Sequence, residues 1–231
     1  MRFALLRSAI VLSSIGLSAA AAWALPPGVL FSEDFEDGVA NGLTVRGGAY
    51  GIGSGIGSSK GFAGLDFHNV MTLDGIPSDH VAVDVDFQIN EGTDGDFDTW
   101  VNATFDPLDG VYPAPGYVAM VNPAGSDNPL ATLKRNGPIP GQSDETLLDQ
   151  TVNTIGAGEP HHLRVERFGA DINVLLDGNL ILSATDSTYA GGEVAFRMFR
   201  SGIVDNIVVS VPEPTAAIGL IGAMVLLRRR K

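Results

Sequence analysis

Two carboxylates, Asp84 and Asp86, sit two residues apart inside the run Val81-Ala82-Val83-Asp84-Val85-Asp86-Phe87-Gln88-Ile89. Strict alternation of this kind marks a strand, so Val81, Val83, Val85, Phe87 and Ile89 share one face and Asp84, Asp86 and Gln88 the other. Carboxyl groups about 5 Å apart are what a retaining glycosidase uses as nucleophile and acid. Gln88 occupies the next position on that face, and an amide does no general-acid work. The same pair equally suits a solvated sheet face with no chemistry.

A second acidic group follows at once. Asp94-Gly95-Asp96-Phe97-Asp98 reads as a glycine-containing loop with three carboxylates, the oxygen donors calcium prefers. It is not an EF-hand loop, because Thr99 stands where the turn needs Gly and Phe105 where the closing Glu belongs. Plain solubility is the alternative reading of these acids. His161 and His162 are neighbours in a strand, so their rings point to opposite faces and cannot chelate one ion together. Gly57-Ser58-Ser59-Lys60-Gly61 fits G-x-S-x-G, but a nucleophile elbow needs a strand before it and a helix after it. Here a Gly-Ile-Gly-Ser near-repeat precedes the match and a strand follows, so the segment reads as a loop.

The elements that must carry these residues are short strands. Besides Val81 to Ile89, strand-like runs span Leu30 to Phe35, Leu43 to Tyr50, Phe62 to Phe67, Thr99 to Phe105, Tyr117 to Asn122, Leu130 to Arg135 and Glu145 to Val152. Others are His162 to Phe168, Asp171 to Leu176, Leu180 to Thr185, Glu193 to Phe199 and Ile203 to Val209, thirteen strands in all. A two-residue turn at Gly169-Ala170 sets Arg167 opposite Ile172, Val165 opposite Val174 and Leu163 opposite Leu176, so the apolar sets of an antiparallel hairpin coincide. At Asp177-Gly178 the sequence allows a two- or a three-residue turn, and the register of the next strand stays open. So many antiparallel strands, with 29 Gly, 13 Pro and no Cys, fit two sheets packed face to face rather than one wide barrel. The absence of Cys rules out a disulfide framework, a thiolate zinc site and a Cys nucleophile.

The two ends read as addresses. Arg2 and Arg7 precede an apolar stretch from Ser8 to Ala22, and Ala22-Trp23-Ala24 supplies the small-x-small pattern for cleavage before Leu25. Residues 1–24 are therefore expected to be a helical signal peptide, 25–211 the folded domain and 212–231 a separate tail. In that tail Pro212-Glu213-Pro214 is followed by the apolar stretch Thr215 to Leu227, a short helix, and then by Arg228, Arg229, Arg230 and Lys231. Thirteen helical residues rise about 20 Å, short of the roughly 30 Å hydrocarbon core, which suits a transient stop held by cytoplasmic cations better than a permanent anchor. The ends take six of the 14 basic residues and one of the 27 acids, leaving eight bases against 26 acids in the middle. Such a domain repels a phosphate backbone, so nucleic acid is not an expected partner.

The tail resembles the PEP-CTERM sorting signal, carried by Pro212, Glu213 and Pro214, the hydrophobic span and Arg228, Arg229 and Arg230. That resemblance implies export in a Gram-negative bacterium, with signal peptidase and an exosortase-type membrane protease as processing partners. It also implies transient passage through the inner membrane and a destination at the cell envelope, surface or extracellular matrix. The middle resembles concanavalin A-like (laminin G-like) domains of secreted bacterial proteins. The likeness rests on Gly116 to Asn122, His161 to Glu166, Leu175 to Leu180, Ala184 to Tyr189 and Val204 to Val209. It implies a two-sheet antiparallel jelly-roll sandwich. One departure is Glu159-Pro160-His161, where such domains commonly carry Trp before the His.

The resemblance brings further expectations. Beta-glucanases of this fold carry an E-x-D-x-x-E set, of which the strand with Asp84 and Asp86 holds only two acids. A structural calcium between the first and last strands would draw on Asp34, Glu36 and Asp205, a second candidate separate from the loop of Asp94, Asp96 and Asp98. Asp205 interrupts an apolar strand, so either a metal or hydrogen-bonded backbone must satisfy it. Trp100, Tyr112 and Tyr117 are candidates to stack on sugar rings, with burial in the core as the alternative. The expected function is non-catalytic binding of extracellular polysaccharide. The alternatives are a purely structural matrix protein, and a glycoside hydrolase or lyase using Asp84 and Asp86.

Overall fold

Alternation builds the central strand of the first sheet. In β6 (His80–Ile89) the side chains of Val81, Val83, Val85, Phe87 and Ile89 are buried together, each stabilising the fold by about 1.5–3 kcal/mol. Asp84, Asp86 and Gln88 face the other way and stay partly exposed. The computed structural model describes residues 28–56, 60–64, 68–76, 78–90, 95–104, 115–123, 130–137, 145–151 and 155–211. The signal peptide and sorting tail expected at 1–24 and 212–231 lie outside them, as do Tyr112 and Asp94.

Two antiparallel sheets face each other. The eight-stranded one runs β13 (Asn179–Thr185), β12 (Asp171–Leu176), β11 (Pro160–Phe168), β6, β15 (Gly202–Ser210), β4 (Lys60–Gly64) and β3 (Tyr50–Ser54), with β1 (Val29–Glu33) also on β15. β4 and β1 share one edge of β15, β4 pairing Gly202 to Val204 and β1 pairing Ile207 to Ser210. The seven-stranded sheet runs β10 (Glu145–Thr151), β9 (Leu130–Asn136), β8 (Gly116–Val121), β7 (Asp96–Ala103), β14 (Glu193–Phe199), β5 (His68–Leu73) and β2 (Leu43–Gly47). Between the sheets Phe87 stacks on Phe97 at 4.8 Å, and Phe62 lies between Phe35 and Tyr50 at 5.5 and 4.2 Å.

The expected hairpin has the expected register, with Leu163 opposite Leu176, Val165 opposite Val174 and Arg167 opposite Ile172. The open turn closes on two residues, Asp177 and Gly178, both at positive φ as a type I′ turn requires. A bulge then falls between the pairs Leu175–Leu180 and Val174–Leu182, so Leu182 is buried while Leu180 is left 61% exposed.

Among the described residues there are 15 strands where the sequence pattern suggests thirteen. The run from Leu43 to Tyr50 is two strands belonging to different sheets. Gly48 makes the crossing at φ +82, and a Cβ there would meet the His68 carbonyl oxygen at 2.3 Å. β5 escapes the alternation test because all but its first residue is buried on both faces. The missing Trp before His161 does not delay β11, which starts at Pro160 opposite Gln88, the strand-end place where Pro is tolerated.

Candidate functional site

Strand pairing lays three rows of side chains across the outer face of the seven-stranded sheet. Lys134, Val118, Trp100 and Ala195 form one row, and Thr132, Met120, Asp98 and Arg197 the next. Asn136 continues the face at Gly116. Trp100, Ala103, Val118 and Ala195 make a small apolar cluster of their own, apart from the inter-sheet core. The short side chains of Val118 and Ala195 leave a depression of about 160 Å³ lined by Asp98, Trp100, Val118, Met120, Lys134, Asn136 and Arg197.

Its polar floor is tightly organised. The Arg197 guanidinium donates from Nε to Asp98 Oδ2 and from Nη2 to Asp96 Oδ1 at 2.8 Å, and lies over the Trp100 ring at 5.8 Å. Burial, and then the charge of Asp98, pushes the Asp96 carboxyl up to about 8 against the pull of Arg197 and Lys134. Burial likewise pushes Asp98 up, with Arg197 opposing. Burial thus favours the protonated form of this pair, while the guanidinium that both acids hold opposes it. Asp98 Oδ1, Trp100 Nε1 and Asn136 Oδ1 are buried without a hydrogen-bond partner. Buried polar atoms are rarely left so, and the three residues that carry these line one depression.

From Asp96 onward the acidic stretch read as a loop is a strand. Asp96 and Asp98 alternate with Phe97 on β7 and are held by Arg197. Asp34 Oδ1 accepts the Glu36 amide at 3.1 Å, and Glu36 Oε1 accepts the Lys60 amide at 2.8 Å. Asp205, fully buried, takes the Asn206 amide at 2.8 Å and the Ile56 amide at 3.3 Å, the backbone alternative of the two foreseen. Among the described residues no three His, Asp or Glu side chains converge as metal ligands. Asp34, Glu36, Asp96, Asp98 and Asp205 are each engaged by protein hydrogen-bond donors.

The aromatic candidates also change role. Tyr117 is fully buried, its hydroxyl donating to Asp186 and accepting the Tyr189 amide at 3.1 Å, with the Arg167 guanidinium 4.4 Å above its ring. It is a core tyrosine that latches the segment after β13 and offers no face to a ligand. Trp100 lines the depression but is 2% exposed, with Arg197 over its ring, so its ring offers little surface for stacking.

The Asp84 and Asp86 pair lies on the outer face of the opposite sheet. His162, paired with Asp86 across β11 and β6, is bracketed by both acids, Nδ1 at 2.7 Å from Asp86 and Nε2 at 3.1 Å from Asp84. Arg164 Nη1 donates to the second oxygen of Asp84, and Asn206 Nδ2 to that of Asp86 at 2.9 Å. Hydrogen bonding to Asp84, then to Asp86, raises His162 to about 9 against the cost of burial. Burial pushes Asp84 up, but His162 and Arg164 outweigh it and hold the carboxyl below its usual range. All four carboxylate oxygens are engaged. His161, on the other side of the strand as expected, bonds Asp177 at 2.9 Å.

Lys134, Asn136 and Arg197 escaped the sequence reading. The signal was present in Asp96-x-Asp98-x-Trp100, an alternation hidden by Gly95. Their convergence on it depends on pairing across four strands.

No family model and no curated protein matches the chain. Solved structures do. The carbohydrate-binding module CBM66 from Bacillus subtilis matches at 18% identity over 73% of this chain and 95% of that one, with a TM-score of 0.58. A protein of unknown function with a galectin-like fold, also from Bacillus subtilis, matches at 15% over 80% and 96%, TM-score 0.59. Domain 4 of AbnA, a GH43 extracellular arabinanase from Geobacillus stearothermophilus solved with arabinotriose, matches at 15% over 80% and 92%, TM-score 0.55. At such identities the likeness defines the class of fold: the chain is an antiparallel jelly-roll sandwich of the concanavalin A and galectin kind.

Proposed function

We propose that this protein is an exported, non-catalytic module that binds polysaccharide in the depression between Asp98, Trp100, Lys134, Asn136 and Arg197. The observation that carries this reading is the set of buried, unpartnered atoms there: two acceptors, Asp98 Oδ1 and Asn136 Oδ1, and one donor, Trp100 Nε1. Sugar hydroxyls both donate and accept, and so complete such a set. The carbohydrate-binding neighbours share the sandwich and support the reading by analogy. The engagement of Asp84 and Asp86 by His162, Arg164 and Asn206 favours binding over hydrolysis at that pair.

Titration calorimetry of the full-length chain in mild detergent, with polysaccharide from the producing cells' matrix, tests the site. Trp100→Phe keeps an aromatic ring and removes the N–H. It should weaken binding at least tenfold, in line with about 1.4 kcal/mol for a lost buried hydrogen bond, while the thermal midpoint shows the fold intact. Unchanged affinity would sink the assignment.

Export and sorting rest on the signal-like start and on Pro212, Glu213, Pro214 and the terminal Arg cluster. In this reading signal peptidase and an exosortase-type protease process the chain, which reaches the envelope or matrix of a Gram-negative cell. Intact-mass analysis of protein recovered from the matrix should find residues 1–24 and the Arg cluster gone. A full-length mass would overturn it.

A further inference from the structure

The charges of the depression are unequal once its internal bonds are counted. Asp96, Asp98 and Arg197 form a closed group, with both acids hydrogen-bonded to one guanidinium. Burial raises both acids toward their protonated forms, so the single guanidinium that holds them offsets much of their charge. Lys134 lines the same depression and is left over. Among the described residues its ammonium makes no hydrogen bond or ion pair, although it feels both acids at longer range.

Other cations of the domain are committed. Arg46 pairs with Asp74, Arg135 with Asp186, Arg164 with Asp84 and Glu166, and Lys60 donates to the Glu36 carbonyl. In a domain with so large an excess of acids, Lys134 is without a carboxylate partner in a depression that Trp100, with its unpartnered indole N–H, also lines. The two donors, Lys134 Nζ and Trp100 Nε1, call for an acceptor that carries charge. The two acceptors, Asp98 Oδ1 and Asn136 Oδ1, call for hydroxyl donors.

We infer that the depression takes an acidic sugar, one that offers a carboxylate or sulfate to Lys134 and Trp100 and ring hydroxyls to Asp98 and Asn136. This rests on the polysaccharide-binding reading above and narrows it to a substrate class. The excess of acids elsewhere does not defeat it. At physiological ionic strength charges are screened beyond about 8 Å, whereas a contact inside a depression is screened much less.

The experiment uses the matrix polysaccharide in three forms: native, with its carboxyl groups reduced to alcohols, and desulfated. Each is titrated into the full-length chain and into its Lys134→Met variant, whose thermal midpoint is checked against the parent. The native form should bind at least tenfold more tightly than the form stripped of its anion, and Lys134→Met should erase that difference. Loss on reduction identifies a carboxylate, and loss on desulfation a sulfate. Equal binding of all three forms would overturn the acidic-sugar inference and leave the polysaccharide reading standing. A Lys134→Met variant that keeps the full preference would also overturn the inference. No binding of any form would overturn both.

Discussion

The outer faces of the two sheets carry the same sequence device and put it to opposite use. Each presents an Asp-x-Asp pair on a strand, Asp84 and Asp86 on β6, Asp96 and Asp98 on β7. On β6 the acids are partly exposed, meet His162, Arg164 and Asn206, and have no oxygen left over. On β7 Asp98 is buried and Asp96 only partly so; the two share Arg197 and leave Asp98 Oδ1 without a partner. Asp84 is accordingly held below its usual range, whereas Asp96 is pushed up to about 8. A solvated ion-pair network is the ordinary end of such a pattern. Under the polysaccharide-binding reading proposed above, the unfilled valences on β7 are the ones a ligand completes.

The largest expected effect follows from removing the shared cation. Arg197→Met strands Asp98, which is 1% exposed, without its partner. Breaking a buried pair on one side costs about 3–5 kcal/mol, and the lower end applies because Asp98 can take up a proton. Urea denaturation near neutral pH should show a loss of about 3 kcal/mol. The double variant Arg197→Met/Asp98→Leu should recover most of it. A single variant as stable as the parent would mean that the β7 pair is solvated like its β6 counterpart, and the contrast between the faces would fall.

The sandwich itself was legible because its central elements alternate cleanly. The side chains of β6 and the hairpin from Leu163 to Leu176 announce their faces and register without any structure. Local pattern failed where a strand is covered on both sides, as in β5, and where one glycine turns the chain from one sheet to the other, as at Gly48. The site was legible only in part. Trp100 was singled out, but for a ring face that burial denies it. Asp96 and Asp98 were singled out, but for a metal where a guanidinium serves. Lys134 and Arg197 carry no signature of their own, and only register across β9, β8, β7 and β14 makes them neighbours.

Dependence on pH separates the two faces as well. Asp96 binds its proton with a folded value of about 8 against an ordinary value of 3.8. Between those limits the folded state holds a proton that the unfolded chain has released, so this group lowers stability as pH rises through that window. Asp96→Asn should flatten the decline there. His162 acts with the same sign through a different charge. Its folded value is raised from 6.5 to about 9, so its contribution is complete below 6.5 and is lost as pH rises through 9. The ring is 42% exposed, and water screens the pairing to a few tenths of a kcal/mol. His162→Gln should therefore remove a shallow slope confined to the interval between about 6.5 and 9, and leave polysaccharide binding unchanged because it lies on the opposite sheet. Stability measured by urea denaturation from pH 4 to 10 in parent and both variants decides the matter. Coincident slopes in the His162→Gln variant and the parent would show that the β6 network does not hold its histidine charged. A binding defect in that variant would move the ligand to the other face of the sandwich.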